Sequence, residues 1–498
     1  MPAPPTSADR VSRAERVVLC AFLFVLPLFE VPKHLLWAAY LVLWWRARGP
    51  GTGRAGAWGG IDWVFAAAIA ATVVAGLGRG AGAWIEGLRE AADPVRTFAT
   101  AWLIARAPFT LRQSVTALCA ALAGAVSALL WGLVELQRAP PWAMLELHSV
   151  GHVNHSAIYL AISAAMAVGV LIGALSGARR AASSAVRSAD PSADPSADQS
   201  ADQSADQSAD QPAEVSAGRW RLGVAAVVAA VLLISLLVAA SRAALVAALA
   251  YLAVIAWAAP GAGVATPPGG AIDRAARAPR GRGARGGPSA GGLRRAIVLL
   301  TVSAVVAYGA MLWLSPTRLH ATGESVVEKF GSRPQEAGPL AFRDQLWRVA
   351  GLAFLQQPVF GIGNDRFRTL SKASLCAPPR DCGAAPLYFT SHAHSLYANT
   401  LAERGALGLA SLAALLACWA RAVWRGRDRA RVDPAYAAVW SAALGAFLVA
   451  VLAGLLNTTL HHEHGLLSMV ALGLLLAAGG RPRVGVPPTA GRATAQSA

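Results

Sequence analysis

Between residues 17 and 478 the chain is a succession of apolar runs, many of them long enough to cross the ~30 Å hydrocarbon core of a bilayer. Few folds accommodate that pattern. In hydrocarbon every backbone N–H and C=O must find its partner inside the protein, so runs of this kind become helices. The expected fold is all-α: a polytopic membrane protein with about twelve transmembrane helices by the ~20-residue rule. The runs are 17–29, 34–45, 61–77, 95–105, 111–136, 156–175, 222–239, 243–259, 295–314, 396–420, 435–456 and 466–478. The first two share the break Glu30-Val31-Pro32-Lys33 and are expected to form one hairpin. Run 95–105 is too short to span unless flanking residues join it. A composition of 55% hydrophobic and 14% charged residues excludes a string of soluble domains. No cleavable signal peptide is expected, because the first run follows an Arg-bearing tail without a convincing cleavage site.

The net charge of +17 raises a nucleic-acid reading. The arginines, however, fall in short clusters between apolar runs, with no aromatic-interleaved groove, which is the pattern that membrane orientation produces. With the N-terminus in the cytoplasm, alternating spans place the clusters at 46–54, 106–112, 179–187, 274–295 and 421–431 inside. The domain layout that follows has nine spans over 1–314, with disordered cytoplasmic inserts at 188–211 and 260–292. A periplasmic loop over 315–393, three spans over 394–480 and a cytoplasmic tail over 481–498 complete it. Insert 188–211 repeats Ser-Ala-Asp-Pro and Ser-Ala-Asp-Gln, too polar to bury a core. Cysteine labelling at Ser204 and Ser332 tests the layout: an impermeant reagent applied from outside should reach the second position and spare the first. Equal reactivity would overturn it.

In the large outer loop, 339–357 reads as a helix whose Leu340, Trp347, Leu352 and Phe354 offer apolar surface to the membrane. Gln357-Pro358 ends it, and Gly361-Ile362-Gly363-Asn364 is a turn that sends the chain toward His394. Cys376 and Cys382 share an oxidising compartment and are expected to form a disulfide. A metal pair is the alternative, and it lacks neighbouring ligands at zinc spacing.

Three residues carry chemistry. His394 stands at the mouth of run 396–420, where the first N–H groups of a helix disfavour imidazolium. A neutral imidazole is a candidate general base; the plainer alternative is a histidine that caps the helix or lies in the interface. Arg242 sits between two apolar runs on the outer side, where an arginine at membrane depth costs at least ~2.5 kcal/mol unless paired or hydrated. Its alternative is snorkelling to the headgroups. Arg343 lies on the loop helix, and a guanidinium binds phosphate oxygens in a bidentate fork. Two further clusters, His148/His152/Asn154/His155 and His461/His462/Glu463/His464, read as interfacial polar residues rather than a metal site, since no His-Glu-x-x-His spacing occurs. His152, Asn154 and His392 are expected to line a substrate cavity.

Five segments together resemble the O-antigen ligase and polymerase superfamily. They are Ser-Arg-Ala-Ala-Leu (241–245), Phe-Arg-Asp-Gln-Leu-Trp (342–347), Pro-Val-Phe-Gly-Ile-Gly-Asn-Asp-Arg-Phe (358–367), His-Ala-His-Ser-Leu-Tyr-Ala-Asn-Thr-Leu-Ala-Glu-Arg-Gly-Ala-Leu-Gly-Leu (392–409) and Gly-His-Val-Asn-His (151–155). Ser395 departs from the asparagine commoner in that family, as does the Arg-rich insert at 260–292. The resemblance implies a lipid-linked-glycan-dependent glycosyltransferase of the bacterial inner membrane, metal-independent and inverting, without a cofactor. It implies an undecaprenyl-diphosphate-linked glycan as donor and the lipid A core of lipopolysaccharide as acceptor, at the periplasmic face. Carried over, Arg242 and Arg343 hold the diphosphate and His394 takes the acceptor proton. A polymerase and a periplasmic protein O-oligosaccharyltransferase share these motifs and stay open. A lipid-linked-glycan transporter is a more remote reading: it would place charges near the bilayer midplane, whereas these candidates gather at span ends.

Overall fold

The computed structural model describes residues 7–48, 58–78, 84–139, 143–188, 211–239, 241–258, 342–377, 382–383 and 386–479. Among them no strand forms; a single isolated bridge joins Leu147 and Gly151. The long helices are α1 (Ser7–Val25), α2 (Glu30–Arg48), α3 (Gly60–Leu77), α4 (Trp84–Ala105), α5 (Leu111–Arg138), α6 (Val153–Ser188), α7 (Gln211–Val238) and α8 (Arg242–Ala258). They continue with α9 (Arg343–Gln356), α10 (Leu396–Val432), α11 (Pro434–Ala453) and α12 (His462–Gly479). The expected span 295–314 and the insert 260–292 lie outside the described residues, and insert 188–211 is described only at its two helical ends. Among the described residues six helices are long and apolar enough to cross a membrane: α3, α5, α6 over Val153–Ala178, α10, α11 and α12. The protein is a multi-pass membrane protein.

The short run 95–105 belongs to a 22-residue helix, α4. Hydropathy hides its first half because Glu86, Arg89, Glu90 and Asp93 lie there. The centre of the bundle is α6 against α11. A Cβ at Gly169 or Gly173 would sit 2.7 Å from the carbonyl oxygens of Ala438 and Pro434, respectively. Lipid tails are as apolar as leucine, so helices associate there by close backbone approach, and small residues permit it. Helix α12 packs on α4, α3 on α4, and α10 on both α3 and α11.

The loop builds a second, smaller core. Leu346, Val349, Ala350 and Ala353 on one face of α9 meet Phe367, Leu375, Ala393 and Ala402. Their spacing is one helical stripe. A buried Leu or Val side chain contributes roughly 1.5–3 kcal/mol outside lipid. The buried stripe is turned to the protein's own loop, while Trp347, Leu352 and Phe354 stay half-buried; the described helix runs from Arg343, and residues 339–341 lie outside the described residues. Cys376 and Cys382 form a disulfide with Cα atoms 5.4 Å apart, and Arg348 donates to the Cys382 carbonyl.

Helix α10 is broken at Gly405 (φ 64, ψ −162), a conformation essentially confined to glycine. The break strips partners from the carbonyls of 402 and 403 and the N–H groups of 406 and 407. The glycine turn replaces them. Ile362 N donates to Ala402 O and Gly363 N to Glu403 O, both at 3.0 Å, while Ala406 N and Leu407 N donate to Pro358 O and Val359 O at 2.8 and 3.2 Å. The turn comes this close because Gly361 (φ +74) has no Cβ; one there would lie 2.3 Å from Arg404 N. The side chains bind the joint further. Arg404 Nε donates to Asn364 Oδ1 (3.0 Å), Asn364 Nδ2 to Thr72 O on α3 (2.8 Å), and Asn399 Nδ2 to Glu403 Oε2 (2.9 Å). Gly405→Ala should therefore cost about 3 kcal/mol or more from strain and overpacking, seen as a lowered Tm in detergent micelles. An unchanged Tm would show that the break is not required.

Candidate active site

The site forms where the loop core meets the ends of α6, α10, α11 and α12. Three histidine-bearing segments, far apart in the chain, converge there. Each stands just before or at a helix start, where a polar residue is tolerated at the edge of the apolar span. The His155 ring lies 4.9 Å from His461, 5.0 Å from His464, 5.7 Å from both His152 and His462, and 6.1 Å from His392, between centroids. The His392 and His394 rings are 4.6 Å apart. His148 leaves the group it belongs to in sequence: it stacks on Trp131 and bonds Glu135 at 3.0 Å. Asn154 lies in the first turn of α6, its backbone N donating to His152 Nδ1 at 3.2 Å. Glu463 pairs with the buried Lys33, which also reaches Glu30 (2.7 Å) and Ser149 (3.1 Å), tying the α1–α2 hairpin to the start of α12. Among the described residues no cluster of three ligand-type side chains has metal-holding geometry.

His394 occupies the left-handed region (φ 46). Such a backbone costs on the order of 1–3 kcal/mol and persists where its surroundings over-determine it. Here they do. Ala393 N donates to Asn399 Oδ1 at 3.0 Å, Leu396 N is shared by Gly454 O and Asn457 O at 2.8 and 3.0 Å, and Ser395 Oγ caps Ala398 N at 3.4 Å. The other non-glycine residues with positive φ among those described are Phe342, Asp365 and His462. Phe342 immediately precedes Arg343, and the other two line a cavity against His392.

The turn after α11 meets two of the candidate residues. Arg343 Nε donates to Leu456 O at 3.2 Å. The adjacent Asn457, buried at 3% exposure, hydrogen-bonds the His394 ring. Burial first, and then the Arg343 charge and His152, hold the His394 pKa below its ordinary 6.5; the Asn457 bond opposes them. Burial and the Arg343 guanidinium, rather than the helix terminus alone, thus keep the imidazole neutral. His392 is pushed down to about 4 by burial and its histidine neighbours. Arg343 is itself lowered by burial and by the nearby charge of Arg242, so the two guanidiniums are close enough to repel one another. Arg242 is the first residue of α8 and is exposed.

The structure therefore groups Arg242, Arg343, His394, His392 and His152 around one place. Sequence reasoning did not select Leu456 or Asn457. Their signal is the polar triplet Asn457-Thr458-Thr459 closing an apolar run, too ordinary to single out alone.

No curated protein matches the chain. The model of the family described as O-Antigen ligase matches residues 221–413, a stretch that includes Arg242, Arg343, the turn at the α10 break and His394. The match stops short of the turn bearing Asn457 and begins after the segment bearing His152. Over residues 221–413, which carry Arg242, Arg343 and His394, the chain is thus similar to the O-antigen ligase family, and this match supports the O-antigen ligase superfamily.

Proposed function

We propose that the protein moves an O-antigen glycan from undecaprenyl diphosphate to a sugar hydroxyl of lipid A core at the periplasmic face of the bacterial inner membrane. The observation that carries this reading is the pairing of Arg343 with Arg242 beside a histidine whose basicity is lowered by burial. Two like charges drawn together are relieved by an anion, and a diphosphate offers oxygens to both forks.

In this mechanism a ring nitrogen of His394 accepts the acceptor O–H proton as the oxygen attacks the anomeric carbon from the face opposite the leaving group. The bond from that carbon to the diphosphate oxygen breaks, and the electron pair leaves with the diphosphate. Arg242 and Arg343 stabilise its growing charge. The anomeric configuration inverts, since one displacement occurs. The imidazolium then returns its proton to solvent. Charge stabilisation is assigned to the arginines, so EDTA should leave the rate unchanged.

The test offers purified protein an undecaprenyl-diphosphate-linked glycan with core lipopolysaccharide, a second lipid-linked glycan or a pilin peptide. Transfer to the core is expected. Transfer only to the second lipid-linked glycan would make the protein a polymerase, and only to the peptide a protein glycosyltransferase. No transfer with any acceptor would overturn the reading.

A further inference from the structure

A cavity of about 500 Å³ opens beside His392, on the side of that residue's wall formed by α4, the loop after Gly363, the first turns of α10 and the turn before α12. Its size is that of a small-ligand site. Neither Arg242, Arg343 nor His394 lines it, but His392 does, and His392 is in ring contact with His394. The cavity thus adjoins the base through His392 and is lined by neither of the two arginines.

Its chemistry differs from theirs. Carboxylates on the wall outnumber guanidiniums: Glu86, Asp93 and Asp365 are among the former, Arg89 and Arg368 among the latter. Arg368 is shared between Asp365 at 3.1 Å and Glu90 at 3.6 Å, so its charge is answered within the wall. With more carboxylates than guanidiniums on its wall, the cavity favours a diphosphate less than the arginine pair does. Sugar hydroxyls both donate and accept, so a wall of fixed carboxylates and guanidiniums suits them. Phe98, Pro94 and Leu412 supply an apolar floor for the C–H face of a pyranose ring.

We propose that this cavity is the acceptor subsite, and that it receives an uncharged pyranose at the end of the acceptor and delivers its hydroxyl past His392 to His394. The proposal rests on the transferase reading above and adds to it where the acceptor sits and which sugar class it presents. Donor and acceptor then reach His394 from two separately lined places, the arginine pair and the cavity behind His392.

The test uses the purified full chain, an undecaprenyl-diphosphate-linked glycan as donor and core lipopolysaccharide lacking O-antigen as acceptor. Glu86 and Arg89 are exposed on α4, so Glu86→Gln combined with Arg89→Gln should fold. The acceptor KM should rise about tenfold or more, as expected for lost charged hydrogen bonds, with donor KM and kcat unchanged. Asp365→Asn should act in the same direction. Lipid-free core oligosaccharide ending in a neutral hexose should compete with the acceptor in the wild type, and about tenfold more weakly in the double variant. The same oligosaccharide phosphorylated on that hexose should compete weakly in both. An unchanged acceptor KM in both variants, a matching rise in donor KM, or stronger competition by the phosphorylated form would overturn the subsite while leaving the transferase reading intact. Absence of transfer by the wild type would overturn both.

Discussion

His394→Ala should reduce turnover by about 10²–10⁴-fold, the range a positioned general base supplies, while donor binding should be largely kept. The expectation follows from the geometry around that ring. It is fixed in a left-handed backbone, hydrogen-bonded by Asn457, and kept neutral by burial and by Arg343. The pH dependence follows with its sign. The folded pKa is depressed below 6.5, so the base form is fully present at neutral pH and is lost only as pH falls through the lowered value. The rate should hold from pH 7 down to below 6.5 and then decline. That acid limb should disappear with the residual activity of His394→Ala. Asn457→Ala should act through His394 and not through substrate: kcat falls, donor KM stays, and the acid limb moves further down, because the bond that favours protonation is gone. Full activity in His394→Ala, or a wild-type limb above pH 6.5, would sink the assignment.

Arg343→Lys should lower kcat by about 10²-fold, the loss typical of one donor aimed at developing charge. Lysine keeps the charge but not the planar fork, and it cannot reproduce the bond from Nε to the Leu456 carbonyl while facing a diphosphate. Arg242→Lys should be impaired in the same direction. Arg343→Gln separates two roles. It removes a charge that helps hold His394 neutral, so the acid limb should move toward higher pH as the rate falls. A merely structural arginine would lower the yield of folded protein without moving the limb. A limb unchanged in Arg343→Gln, or a fully active Arg343→Lys, would refute the proposed role.

Much of this protein is written locally. Apolar runs specified membrane helices because hydropathy acts over about 20 residues and needs no distant partner. Gln357-Pro358 marked the end of α9, since backbone next to proline leaves the helical region. The chemical types of His394, Arg242 and Arg343 were legible because charged and titratable groups beside a span are costly enough to stand out.

What the sequence could not decide is everything that joins such segments. Nothing in His152, His392 and His461 announces that one imidazole, His155, lies within 6.1 Å of His392 and 4.9 Å of His461. The break at Gly405 was invisible inside a run of good helix formers, because it is specified by a turn some forty residues earlier that fills the vacated backbone positions. Asn457 gains its role only when α10 and α11 bring it under His394. The charged half of α4 lies outside the apolar run 95–105, and only the packing makes it the wall of a cavity. Apolar faces made of Ala, Leu, Val and Gly resemble one another along the chain. Which face meets which is settled by the close fit of small residues in three dimensions, as at Gly169 and Gly173 against α11.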